Sequence, residues 1–181
     1  EEVLPAYDMN RLWQTWLTLR HWSHANRQPL LANAETRHLL KPEMVWEIEG
    51  SLGLTMNRLC DAARGRADWY RAVHDLFARF DFLVLPTAQV FPYPADSHWP
   101  ASIAGHAMDT YHRWMEVVIL GSLGGIPVVN VPVGFDAQGR PMGMQVMGRF
   151  GDDRRVLEFA LAYEQITDHL SIRPALIAVD D

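Results

Sequence analysis

The sequence predicts a mixed α/β fold, a sheet flanked by helices. Three observations carry that reading. Apolar residues recur at helical spacing through most of the stretch from Asp8 to Phe80. Two short apolar runs, Phe82–Leu85 and Val128–Val133, end in turn residues and read as strands. A further helical pattern follows the second run, with Asp152 at its start.

In chain order, Leu12, Trp13, Trp16, Leu17, Leu19 and Trp22 define a first helix, and Asp8 offers its side-chain oxygen as an N-cap. A polar stretch through Pro29 breaks it. A second helical region covers Glu35–Leu40 and resumes after Pro42, a residue suited to a first helical turn. Gly50 and Gly53 bracket an expected turn. A long helix from Thr55 to Phe80 carries Met56, Leu59, Cys60, Ala63, Tyr70, Val73, Leu76 and Phe77 on its apolar side, and Gly65 leaves open a boundary inside it. Residues 86–105 form a proline-rich ordered loop with Phe91, Tyr93 and Trp99, and a helix is expected over Met108–Leu123. Between the runs Val128–Val133 and Met142–Met147, Asp136–Arg140 has turn chemistry, so the pair reads as a hairpin. Gly143 and Gly148 are positions where a neighbouring backbone or side chain approaches closely.

Composition limits the function classes. The 181 residues suffice for a domain with its own core. A formal net charge of -6, with Lys41 as the single lysine, excludes a basic nucleic-acid or anionic-membrane surface. A lone cysteine, Cys60, excludes an internal disulfide framework and fits a reducing, cytoplasmic setting. No apolar run approaches the roughly 18 residues of a membrane span. Glu1-Glu2 opens the chain without methionine and without the basic start of a signal peptide, so the sequence reads as a fragment, a processed product or an expressed segment.

Several segments, taken together and in order, resemble one family. Gly124-Gly125-Ile126-Pro127 leads through the run Val128–Val133 to Gly134-Phe135. Gly139-Arg140-Pro141-Met142-Gly143-Met144-Gln145 then continues to Gly148. Asp81 precedes an apolar strand ending in Pro86-Thr87, Ala162-Tyr163-Glu164-Gln165 closes a last helix, and Glu1–Pro5 is similar to a strand midway through the full enzyme. These match the amidase signature family collinearly. The resemblance implies the C-terminal part of the amidase signature fold, a mixed sheet flanked by helices, from an enzyme that hydrolyses carbon–nitrogen amide bonds. The family's Ser–cis-Ser–Lys triad lies in an N-terminal portion, with an oxyanion hole in a Gly/Ser-rich loop.

Residues 1–181 are therefore expected to be the C-terminal segment of an amidase domain, with the catalytic portion absent. Ser23, Ser51, Ser97, Ser102, Ser122 and Ser171 stand alone, and Lys41 sits before Pro42 in a charged helical stretch. The resemblance implies that the helix before Gly124 faces the acyl pocket, which makes Met115, Val118, Gly121, Ser122 and Ile126 the substrate-pocket candidates. Met115 and Val118 are equally compatible with ordinary core positions, and Phe91, Tyr93 and Trp99 with either a pocket mouth or loop packing.

Other motifs are read blandly. Gly121–Gly125 lacks the Lys-Ser/Thr ending of a phosphate loop and reads as a backbone turn. His21 and His24 lack supporting ligands, so no metal is expected. Cys60 reads as a buried thiol. No cofactor is implied. The expected ligand is a small-molecule amide acted on by the full enzyme. Two alternatives stay open: a stand-alone non-catalytic binding or structural module derived from an amidase, and the amidase subunit of a tRNA-dependent amidotransferase. Strands taken from a larger sheet should expose apolar edges, so a homo-oligomer is also expected.

Overall fold

The computed structural model describes residues 1–172. The chain divides into two compact units, Glu1–Ala78 and a second starting at Arg79.

The first unit is helical: α1 (Met9–Ser23), a 3-10 turn (Ala25–Arg27), α2 (Gln28–Ala32), α3 (Ala34–Arg37), α4 (Pro42–Leu52) and α5 (Met56–Phe77). Asp8 caps α1 by accepting from the Asn10 N–H, and Thr55 caps α5 by accepting from Arg58 N–H. α1 packs on both α4 and α5. Gly65 does not interrupt α5. A Cβ there would run into the Thr15 hydroxyl of α1, and the Gly65 carbonyl accepts from Tyr7 Oη at 2.8 Å, so the glycine permits close helix approach.

The buried face of α5 differs from the one expected. It comprises Ala62, Gly65, Trp69, Val73 and Phe77, whereas Met56 and Tyr70 face solvent. Cys60 is likewise exposed rather than a buried thiol. The reason is geometric: residues at 62, 65, 69, 73 and 77 follow the three-and-four spacing of one helical stripe, and position 60 falls off it. Gly50 lies inside α4 and only Gly53 ends it. Glu1–Pro5 forms no strand.

The second unit contains β1 (Leu83–Pro86), β2 (Ser102–Ile103), β3 (His106–Ala107), a 3-10 segment (Arg113–Val118), α6 (Ile119–Gly124), β4 (Val128–Phe135), β5 (Pro141–Met147), α7 (Asp153–Ile166) and a 3-10 turn (His169–Ser171). β1, β5 and β4 form an antiparallel sheet in that order, while β2 and β3 form a separate small hairpin. Met147 pairs with both Leu83 and Val128, and Val146 with both Val84 and Val129, so β5 is the central strand and Val146 is fully buried. The Asp136–Arg140 turn joins β4 to β5 as expected, closed by Asp136 N–H to Arg140 C=O at 3.0 Å.

α7 packs on β4, with Tyr163 Oη donating to Pro132 C=O at 2.9 Å and Val156 buried. Asp152 stands at the cap position of α7 but makes no side-chain cap bond; its carbonyl instead accepts from Val156 N–H. Val84, Val128 and Phe135 stay largely solvent-exposed on the two outer strands.

The expected helix over Met108–Leu123 is replaced by loop, 3-10 segment and the short α6. Val117 explains the break. Its N–H donates to Gln89 Oε1 at 3.1 Å and its carbonyl accepts from Gln145 Nε2 at 3.3 Å. With its N–H diverted to Gln89, the regular i to i−4 ladder is interrupted at that residue, and the Gln145 bond to its carbonyl holds the segment there.

Candidate functional site

The second unit carries an open cleft of about 450 Å³ between the loop after β1 and the β4–β5 hairpin. Its construction starts at the end of β1. Thr87 N–H donates to Gly143 C=O at 2.9 Å, extending the β1–β5 pairing by one bond. The Thr87 hydroxyl donates to Asn130 Oδ1 on β4. Gly143 makes this crossing of three strands feasible, because a Cβ there would lie 2.8 Å from both Thr87 Oγ1 and Asn130 Oδ1. Gly148, the other glycine marked for close approach, faces the Val156 side chain of α7.

The far end of the same loop is pinned by Arg140. Its guanidinium donates to Pro92 C=O at 3.3 Å, lies 5.6 Å from the Phe91 ring centre and pairs with Asp136. Burial alone would raise the Asp136 carboxyl, but hydrogen bonds from the Arg140 side chain and from the backbone of Arg140 and Gln138 hold it below its ordinary value. A depressed acid keeps this pairing wherever the carboxyl is ionised and loses it only as the pH falls through that lowered value.

Tyr93 and Trp114 form the aromatic wall, meeting edge to face with ring centres 5.6 Å apart. Burial, then the neighbouring Tyr111, raises the Tyr93 phenol, so it stays protonated and able to donate. The indole Nε1 of Trp114 is buried and has no hydrogen-bond partner among the described residues. Behind the wall, buried Gln145 donates to Pro86 C=O at 2.9 Å as well as to Val117 C=O. One side chain thus ties the end of β1, the middle of β5 and the segment bearing Trp114.

The five residues expected to line a pocket lie elsewhere in this unit. Met115 and Val118 are on the 3-10 segment, half-buried and exposed respectively. Gly121 is buried, where a Cβ would meet Val128 Cγ2 at 2.7 Å. Ser122 is exposed and donates to Val118 C=O at 3.1 Å, and Ile126 is half-buried before β4. None of the five lines the cleft. Of the aromatic loop residues, Phe91 and Tyr93 do, whereas Trp99 donates to Met108 C=O at 3.3 Å. Two signals mark the cleft in the sequence: Asn130 is a polar residue inside a valine-rich strand, and Thr87 follows the proline that ends β1.

Nearby, burial raises the Glu116 carboxyl, an effect opposed by Arg113 at 3.3 Å and reinforced by Asp109. That carboxylate is held in an ion pair and does not line the cleft.

In the helical unit a serine does meet a histidine. Ser23 Oγ lies 3.0 Å from His24 Nδ1, and His24 Nδ1 lies 2.8 Å from Glu47 Oε2. Both contacts, and a third to Arg20 C=O at 3.0 Å, use the same ring nitrogen. A relay requires the serine and the carboxylate on opposite ring nitrogens, so this arrangement cannot activate Ser23. His21 Nδ1 is taken by Glu47 C=O at 2.9 Å.

A family model described as Amidase matches residues 8–157. The chain belongs to the amidase family. A bacterial aryl acylamidase of the amidase signature family has a similar fold, with a TM-score of 0.72 and 22% identity, over 93% of this chain and 37% of that one. A glutamyl-tRNA(Gln) amidotransferase subunit of Synechococcus sp. (strain CC9311) is 36% identical over 98 residues, 54% of this chain and 19% of its own length. The corresponding solved subunit from Thermotoga maritima is 25% identical with a TM-score of 0.52, over 70% of this chain and 26% of that one. This amidase-family chain therefore spans well under half the length of the relatives it matches. Among the described residues, no helix is long and apolar enough to cross a membrane.

Proposed function

We propose that this chain is the C-terminal part of an amidase that hydrolyses small-molecule amides by serine nucleophilic catalysis. It supplies sheet, helices and part of the acyl pocket, and the Ser–cis-Ser–Lys machinery comes from polypeptide outside these 181 residues. The observation that carries this reading is the family match over residues 8–157. The shared nitrogen of His24 supports its second half, since the Ser23 contact offers no usable base. Met115, Val118, Gly121, Ser122 and Ile126 remain our candidates for the acyl side of the complete pocket. A second reading, one component of a tRNA-dependent amidotransferase, is favoured by the 36% identity to the Synechococcus protein.

Labelling with a fluorophosphonate, which modifies activated serines, tests the absence of a nucleophile. The purified chain should carry no label. Stoichiometric modification of any one of its serines would contradict the proposal. We further propose that the exposed Val84, Val128 and Phe135 drive self-association of the isolated chain. Sedimentation velocity should show concentration-dependent assembly; a strict monomer at all concentrations would count against it.

A further inference from the structure

Sequence pattern and structure part company in the segment that borders the cleft. Apolar spacing predicts one helix over Met108–Leu123, yet Arg113–Val118 is a 3-10 segment and only Ile119–Gly124 is α-helix. The backbone bonds run from i to i−3: Arg113 N–H to Thr110 C=O at 3.1 Å, Met115 N–H to His112 C=O at 3.0 Å and Ile119 N–H to Glu116 C=O. Six residues is long for this geometry, which inside a helical stretch marks a hinge or a sequence under strain. The backbone is also close to α: φ and ψ are −80° and −18° at His112, −85° and −12° at Val118, and −72° and −20° at Ile119. All three lie in or beside the right-handed helical region, so conversion needs changes of about 20–30° in ψ and crosses no forbidden region.

Three features favour the 3-10 form. Gln89 Oε1 accepts from Val117 N–H at 3.1 Å, the group an α-helix would direct to Arg113 C=O. The β-branched run Val117-Val118-Ile119 lowers helix propensity across the junction. Trp114 meets Tyr93 edge to face, with ring centres 5.6 Å apart. Two features oppose it. Thr110 Oγ1 and Trp114 Nε1 are buried without hydrogen-bond partners among the described residues, and each is destabilising there. A helix starting at Tyr111 would make Thr110 its N-cap, with the hydroxyl accepting from Arg113 N–H. Between Trp114 and Val118 the change to α shortens the segment by about 2 Å and turns Trp114 by roughly 80° relative to α6, away from its buried seat.

We propose that Arg113–Val118 is a two-state element: a 3-10 segment latched by Gln89 that converts to α-helix continuous with α6 and withdraws Trp114 from the cleft wall. The state of this segment sets the width of the cleft, narrow with Trp114 against Tyr93 and wider when the segment is helical. Exchanging the Gln89 bond for an intrahelical one leaves the number of hydrogen bonds at Val117 N–H unchanged, which keeps the two states close in free energy. Gln89 is the latch because it reaches the segment from the loop that forms the facing side of the cleft.

Carbon chemical-exchange saturation transfer over residues 113–118 of the purified, isotope-labelled chain, below the concentration at which it assembles, tests this. The wild type should show a minor state with α-helical carbon shifts at these residues. Gln89→Met, which keeps the length of the side chain and removes the acceptor, should raise the population of that state about ten-fold, the equivalent of one hydrogen bond. The amide spectrum of β4 and β5 should stay unchanged, which separates a released latch from lost folding. Gln89→Glu keeps an accepting oxygen and should leave the population as in wild type. Val118→Ala, at an exposed position, keeps the latch, favours α-helix and should raise the population too, so it carries the test if Gln89→Met does not fold. In both variants that raise it, the Trp114 indole N–H should exchange faster with solvent. No α-like state in either variant, or a second state with random-coil shifts, would overturn the inference. The first result makes the segment a single fixed turn and the second makes it a frayed one. Neither bears on where the catalytic serine lies, so the switch can fail while the amidase reading stands.

Discussion

Replacing Arg20 with methionine is expected to destabilise the helical unit by about 2–3 kcal/mol. Glu47 is almost fully buried on α4, and Arg20 Nε holds both of its oxygens, at 2.9 and 2.8 Å, from α1. His24 adds a further contact at 2.8 Å. Removing the guanidinium leaves a buried carboxylate without its fixed positive charge. Breaking a fully buried pair in this way costs about 3–5 kcal/mol. The smaller figure follows because the Arg20 side chain is 40% exposed and water screens part of the interaction. The double replacement Arg20→Met with Glu47→Met should recover most of the loss, since two packed apolar side chains remove the need for compensation. Urea unfolding followed by circular dichroism measures the wild type and both variants. A double variant as unstable as Arg20→Met alone would show that packing, not charge, dominates at this contact.

Gln145→Leu is expected to cost the sheet unit about 1–2 kcal/mol and to loosen the segment carrying Trp114. Its amide donates to two part-buried carbonyls, Pro86 and Val117. Leucine comes close in volume but takes the protein donor from both acceptors, and because Pro86 is exposed and Val117 only half-buried, water makes up part of the loss, about 0.5–1 kcal/mol for each bond. Gln145→Glu makes the sharper test. At neutral pH an ionised carboxylate would face two carbonyl oxygens with no donor, so this variant should be less stable than Gln145→Leu. Burial and those oxygens raise the folded-state value of the new acid above its unfolded one. The variant should therefore be most stable below the ordinary glutamate range and lose stability as pH rises through the interval up to the raised value. Thermal unfolding of wild type, Gln145→Leu and Gln145→Glu across that range reads the effect. A Gln145→Glu variant that tracks wild type at every pH would remove Gln145 from its role as the tie behind the cleft.

Parts of this molecule could be read directly from its residues. The β4–β5 hairpin was legible because valine-rich and Met/Val runs flank an Asp-Ala-Gln-Gly-Arg turn, and pattern and turn chemistry agree there. The α1 cap at Asp8 and the start of α5 at Thr55 were legible for the same local reason. What could not be read depends on partners distant in sequence. The break in the helix before Gly124 comes from Gln89, which diverts the Val117 N–H, while Gln145 holds the segment by its carbonyl, each from 28 residues away. The buried stripe of α5 is fixed by contact with α1 through Gly65 and Thr15, so apolar identity alone placed Cys60 and Met56 on the wrong side. The cleft depends on Thr87, Asn130 and Gly143 meeting across three strands, and no local pattern brings them together.

The most direct test of the proposal that catalysis resides outside these residues is amide hydrolysis by the purified 181-residue chain. A panel of aryl and alkyl amides, read by released ammonia or chromogenic amine, samples the substrates of the proposed activity. The expected result is no turnover above background with any member of the panel. Turnover that scales with protein and disappears on Cys60→Ala or on a single serine-to-alanine change would contradict it, and would place an active site within this chain.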